Sequence, residues 1–195
     1  EPFESVIKKY GIPNTAFPGC TRDLKLAPMR SYLKFLGIDH KTIPTAIGIR
    51  EDEKRRISKQ AELNNIVYPL IDWFPTDKSE VIDWWKQQVF DLEIEEFEGN
   101  CLGCYKKSFK KHFMQIEKDI DVYKWTKEME DKYCFVNIKE GKRVFFRNNT
   151  STEQLIKMYR ETVNQSALST RAININEDGG CSESCEVYET SLNNA

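Results

Sequence analysis

Histidine is nearly missing from this chain: His40 and His112 are the only two in 195 residues. A His-rich metal centre or a Ser-His-Asp arrangement therefore has almost no material to work with. Long apolar runs are missing too. Nothing approaches the roughly 20 residues needed to cross a bilayer, and the opening "EPFESVIKKYG" lacks the basic-then-apolar order of a signal peptide. No membrane partner is expected. The 29 basic and 31 acidic residues nearly cancel, to −2, so no global field draws the chain to nucleic acid or anionic lipid, and any such binding must be local. No internal repeat is present.

What the chain does have is apolar material, 39% hydrophobic and 12% aromatic, enough for one respectable core. Six cysteines are present: Cys20, Cys101, Cys104, Cys134, Cys181 and Cys185. An even count would suit three disulfides in a secreted protein, and the sequons starting at Asn148, Asn149 and Asn164 would suit glycosylation. Disulfide scaffolds, however, are usually small and short of a core, which this chain is not. A reducing, cytoplasmic compartment is expected.

Hydrophobic periodicity predicts a helix over residues 3–10 that stops at Gly11, then a loop through "IPNTAFPG". Pro28 opens a second helix, with Met29, Leu33 and Leu36 on one face and Gly37 ending it. The β-branched "KTIPTAIGIR" reads as a buried strand entering a helix start, and "NNIVYPLIDW" is a second short apolar run. Strand, loop and helix in that order belong to an α/β unit. Thr76 or Asp77 is placed to cap a helix bearing Val81, Ile82, Trp84 and Trp85. Further helices are predicted over about 105–118 and 121–133, with a strand pair in "CFVNIKEGKRVFF" turning at Glu140 and Gly141, and Thr152 capping a last helix. Three regions are expected: 1–100 partly α/β, 101–165 helical and cysteine-containing, and a polar tail over 166–195.

The chemistry concentrates at the cysteines. Cys101 and Cys104 have the spacing that lets two sulfurs on one tight turn grip a metal or cluster, with Gly103 letting the backbone fold around it; a redox dithiol would share that spacing. Cys181 and Cys185 lie in "NEDGGCSESCE", a segment whose composition otherwise favours disorder, and ligation would pin it. Cys134, between Tyr133 and Phe135, reads as a core thiol. Lys106, Lys107, Lys110, Lys111 and His112 form either the exposed face of a helix or a cationic patch that offsets thiolate charge and could meet phosphate of a nucleotide or nucleic acid. Arg50, just after a strand, with Arg55 and Arg56 one turn on, could point at a bound anion, or could pair with Glu51, Asp52 and Glu53. Lys25 is ambiguous in the same way.

In order, "CTRDLKLAPMRSYL", "IGIREDEKRR", "YPLIDWFPTDKSEVIDWWKQQ" and "GNCLGCYKKS" resemble the later part of the phosphoadenosine phosphosulfate reductase family, within the adenine nucleotide alpha-hydrolase-like (PP-loop) superfamily. The match covers about residues 15–110 and continues loosely through "YKWTKEMEDKY". The resemblance implies a partial Rossmann-like α/β sheet followed by a mostly helical C-terminal part. It implies that Lys25, Arg50 and Arg56 face a nucleotide's phosphate or sulfate. It also implies that Cys20, Cys101 and Cys104, with Cys185 or else Cys181 as fourth ligand, hold a 4Fe-4S iron–sulfur cluster, with zinc as the alternative. An adenine nucleotide would be the substrate. The chain departs from the family at Gly19-Cys20, where the reductases have paired cysteines, and in lacking their Glu-Cys-Gly-x-x-His nucleophile segment. It also lacks the Ser-Gly-Gly-x-Asp-Ser phosphate loop, whose backbone amides cradle phosphates. The chain starts at Glu1 without a methionine, and the expectation is that the first part of the nucleotide site is absent, lost, or supplied by an upstream chain. The expected function is nucleotide-dependent sulfur or adenylyl chemistry; a nucleic-acid thiolation component and a non-enzymatic module stapled by zinc or a cluster are the alternatives.

Overall fold

The computed structural model describes residues 1–91, 93–99 and 101–168. They fall into two compact units, one made of Glu1–Leu24 together with the described residues from Ile94 to Leu168, the other of Lys25–Glu93. The first helix shares its core with the later helices.

That first helix, α1, spans Pro2–Tyr10 and ends as expected at Gly11, whose φ of +86° suits glycine and whose N–H returns to the Ile7 carbonyl at 2.7 Å. A side chain could not replace it. A Cβ at Gly11 would lie 2.4 Å from Arg143 Nη1 and 2.7 Å from the Val136 carbonyl. Helices α5 (Phe109–Lys118), α6 (Val122–Tyr133) and α7 (Thr152–Leu168) complete the unit, with α6 packed on α1 and α7 on both α5 and α6. Their shared core is aromatic: Tyr123, Phe145 and Phe146 are almost wholly enclosed, together with Ile7, Ile12, Met129 and Leu155. Cys134 is buried in this core. Ser151, one residue before the predicted Thr152, caps α7, exchanging bonds with Gln154 in the reciprocal pattern of a capping box.

The predicted strand pair over 134–146 does not form. Among the described residues of this stretch only an isolated bridge, Phe146 to Thr150, is present. The reason lies in where the backbone donors go. The Phe145 N–H donates to the buried Glu130 carboxylate at 3.0 Å rather than to a partner strand, and Val144, Phe145 and Phe146 are buried in succession instead of alternating. Asn137, at positive φ, turns the chain and ties its amide to the Lys9 carbonyl. Glu130 also accepts from the Thr152 N–H at 2.9 Å, so one carboxylate fixes both the Phe145 segment and the start of α7. Burial raises its pKa, against the pull of those two bonds.

A π-helical turn over Arg22–Leu26 leads into α2, Ala27–Phe35, the first helix of Lys25–Glu93. Strands β1, Thr45–Ala46, and β2, Ile66–Val67, pair in parallel, Thr45 opposite Ile66 and Ala46 opposite Val67. This parallel pairing, two residues a strand, is the one sheet among the described residues. Helices α3 (Pro69–Asp72) and α4 (Lys78–Lys86) follow. Asp77 is the cap of α4: its side chain accepts the Glu80 N–H while Glu80 reaches back to the Asp77 N–H. The core here is Ile49, Ile66 and Tyr68. No helix among the described residues is long and apolar enough to cross a membrane.

Candidate functional site

The segment between Cys101 and Ser108 is built of two successive turns, the Cys104 N–H donating to the Cys101 carbonyl and the Lys107 N–H to the Cys104 carbonyl, each at 3.0 Å. Cys101 is exposed and Cys104 half-buried. A Cβ on Gly103 would come within 3.2 Å of Thr126 Cγ2, so the turn rests on α6 with little room to spare. Ser108 then caps α5, accepting the Lys111 N–H. The Arg147 guanidinium donates to the Lys106 carbonyl, bracing the turn from the Phe146 side.

This environment is cationic and partly enclosed. Lys107 is 4% exposed and His112 fully buried, so the basic run is not one solvated helix face: only Lys110 is exposed, and Lys106 and Lys111 are half-buried. The His112 pKa is pushed down to about 3, mainly by burial and further by the charges of Lys107 and Arg147, and this ring is neutral at physiological pH. Its Nδ1 lies 2.7 Å from the Tyr123 hydroxyl. Nε2 is buried and makes no hydrogen bond among the described residues. Burial raises the Tyr123 pKa, keeping the phenol protonated. Arg147 and Tyr123 escaped sequence reasoning because each reaches the turn across the fold; no local spacing marks them. His112 carried a signal, its place on the inward spacing of α5 with Gln115 and Ile116, that the surrounding lysines masked.

The remaining predicted ligands are placed differently. Cys20 lies just before the π-helical turn, half-buried. No three His, Cys, Asp or Glu side chains among the described residues come together as a metal-holding group, so Cys20 does not join Cys101 and Cys104 in a three-thiol cup. Cys181 and Cys185 lie outside the described residues.

The arginine cluster of the other unit takes the ion-pair form. Arg50 follows β1 by four residues and grips Asp52 with two bonds of 2.9 and 3.1 Å, while its Nη1 lies 3.4 Å from Glu53. Arg56 donates to the same Glu53 at 2.6 Å. The side-chain bonds to Asp52 raise the Arg50 pKa, and Arg50 in turn lowers that of Asp52. Asp77 adds a third negative charge to the field at Arg50. Its own pKa is lowered first by its bond from Ser79. Two guanidinium groups are thus matched by nearby carboxylates. An anion would have to displace Asp52 or Glu53 to be held by Arg50. Lys25, on the π-helical turn, is exposed.

No protein-family model and no solved structure matches the chain. In sequence it is similar to the uncharacterized nin region protein ORF290 of Escherichia phage lambda, with 32% identity over 198 aligned residues. The similarity takes in 96% of this chain but 64% of that protein, so the chain spans less than two thirds of the phage relative's length.

Proposed function

We propose that this chain is a phosphoadenosine phosphosulfate reductase-like protein, in which the Cys101–Cys104 turn anchors a thiolate-held inorganic centre and the parallel unit serves nucleotide-dependent sulfur or adenylyl chemistry once a phosphate loop is supplied. The observation that carries the reading is the setting of that turn: two cysteines three positions apart beside buried Lys107, half-buried Arg147 and a neutral His112. Cations held close by, one of them buried, offset the negative charge that two metal-bound thiolates bring.

The donor set fits half of such a centre. Two thiols on one turn are in place; Cys20 would have to move toward them, and Cys185 or Cys181 would supply the fourth sulfur. An iron–sulfur cluster so held would provide electron or sulfur transfer, and zinc a closed structural staple. The chain's own residues do the rest: Gly103 seats the turn on α6, Arg147 braces it through the Lys106 carbonyl, and the His112–Tyr123 pair walls off one side without adding charge.

Anaerobic purification followed by iron, zinc and acid-labile sulfide analysis tests this. Metal should co-purify with the chain and be lost from both Cys101→Ser and Cys104→Ser. A folded chain without metal, whose thiols all react freely, would end the proposal.

One observation favours a second, non-enzymatic reading. Because Arg50 and Arg56 already hold Asp52 and Glu53, the parallel unit has its best-placed guanidinium groups committed internally, as in a degenerate scaffold that binds a partner. Titration with an adenine sulfonucleotide separates the two: binding that Arg50→Ala weakens supports the enzyme-like reading, and none supports the scaffold. A nucleic-acid role has thinner support, since Lys107 of the basic run is buried.

A further inference from the structure

As a metal clip the Cys101–Cys104 turn is half complete, since no three His, Cys, Asp or Glu side chains come together among the described residues. As a dithiol it has both of its members. The turn also sets their spacing. The Cys104 N–H returns to the Cys101 carbonyl at 3.0 Å, and a β-turn closed in this way holds its first and fourth Cα atoms within about 7 Å. Disulfides span Cα separations of about 4.4 to 6.8 Å. A bond between the two sulfurs therefore asks for side-chain rotation with little movement of the backbone.

The two sulfurs differ in their access to solvent: Cys101 is exposed and Cys104 half-buried. That asymmetry matches the two roles in thiol–disulfide exchange, in which an accessible thiolate attacks and a second, nearby thiol resolves the mixed disulfide. Leu102, 40% exposed, follows the attacking residue and offers apolar surface to the carbon chain of an incoming partner. The far end of the turn is anchored. Gly103 rests on α6 at Thr126, the Lys107 N–H closes on the Cys104 carbonyl, and Arg147 braces the Lys106 carbonyl. Cys134, by contrast, is enclosed in the aromatic core, where no partner reaches it.

We propose that Cys101 and Cys104 form a thiol–disulfide exchange site whose substrate is an exposed disulfide, of glutathione or of a polypeptide. The Cys101 thiolate attacks one substrate sulfur; the substrate S–S bond breaks, and its other sulfur leaves as a thiolate that takes up the proton Cys101 gave up. Cys104 then attacks the Cys101 sulfur, closing the Cys101–Cys104 bond and expelling the second substrate thiolate, which takes up the Cys104 proton. The substrate disulfide gains two electrons and the pair loses two. Once closed, the pair has no thiolate left for a metal, so oxidation and metal binding at this turn exclude each other. The inference uses the turn alone and needs neither metal nor nucleotide.

The test places the full chain, reduced and freed of metal with a chelator, in glutathione buffers of rising oxidised fraction, followed by alkylation and peptide mass spectrometry. The peptide carrying both residues should lose two hydrogens and escape alkylation. Cys104→Ser should trap glutathione on Cys101, and Cys101→Ser should trap roughly tenfold less on Cys104, a difference that vanishes in urea. A synthetic peptide dimer joined by one disulfide, run in parallel, distinguishes the two sources: whichever exchanges faster supports the site and names its substrate. Both cysteines still alkylated in the most oxidising buffer, Cys101 paired with Cys20, Cys181 or Cys185 instead, or an adduct taken equally by either residue overturns the inference. Metal and sulfide measured before chelation separate it from the metal reading. A metal-bearing chain whose freed thiols form no disulfide keeps that reading and loses this one, and a metal-free chain that forms the disulfide does the reverse.

Discussion

The helical unit and Lys25–Glu93 are held in opposite ways. In the first, enclosed aromatic rings and one buried carboxylate tie together segments far apart in sequence; Tyr133 reaches Glu4 across 129 positions and Arg143 reaches the Tyr10 carbonyl across 133. In the second, most order is local. Asp77 caps its own helix, Arg50 pairs two and three residues on, and large side chains face outward. Stability concentrates where long-range burial is, and openness where the large side chains stay exposed.

The sharpest way to break this contrast is a matched pair of truncations. Phe146→Ala, removing a ring that packs on His112, Tyr123 and Phe145, should cost about 4 kcal/mol. Phe35→Ala should change stability by less than about 0.5 kcal/mol. Urea unfolding of the two variants measures the difference, and comparable losses would contradict it. Gly11→Ala comes next. Its Cβ would strike the Arg143 guanidinium and force a left-handed φ on alanine, for a loss of about 3 kcal/mol that thermal denaturation would show.

A pH experiment sharpens the comparison further. The folded-state pKa of His112, about 3, lies below the ordinary 6.5, so on acidification the unfolded chain takes up the proton first. Stability present above pH 6.5 is lost as the pH falls toward 3, about 2 kcal/mol of it between pH 7 and pH 5. Glu130 runs the other way: its raised pKa gives a contribution that is full below 4.5 and declines as pH rises. The difference between wild type and His112→Phe, followed by urea unfolding across pH, isolates the histidine. Smallest is Asp77→Ala, which removes one half of the capping box and should cost about 1 kcal/mol, seen as faster amide exchange confined to α4.

Much of the architecture was legible in the chain. Gly11, Asp77 and the spacing of apolar residues over 109–118 and 122–133 mark their helices by local chemistry, and the two β-branched runs mark the parallel pair. The stretch around Val144–Phe146 was not legible. Its pattern is that of a strand, but the Phe145 N–H goes to Glu130, a partner 15 positions away on a helix that no strand rule includes. The candidate site was legible by halves: Cys101 and Cys104 announce themselves by spacing, whereas the burial of Lys107 and the approach of Arg147 depend on tertiary packing that overrides a charge run. Arg50, expected immediately after a strand, follows β1 by four residues, and its pairing with Asp52 and Glu53 depends on side-chain geometry that the sequence left open.

The division of the helical unit into two stretches of chain has a consequence for its birth on the ribosome. Helix α1 leaves the exit tunnel with its apolar side bare, and its partners around Tyr133–Arg143 are translated some 130 codons later. At about 5–20 residues per second, α1 waits on the order of ten seconds for them. During that interval the bare helix is a natural client for a holdase chaperone, and synonymous codon changes between residues 25 and 93 would alter how long it stays one.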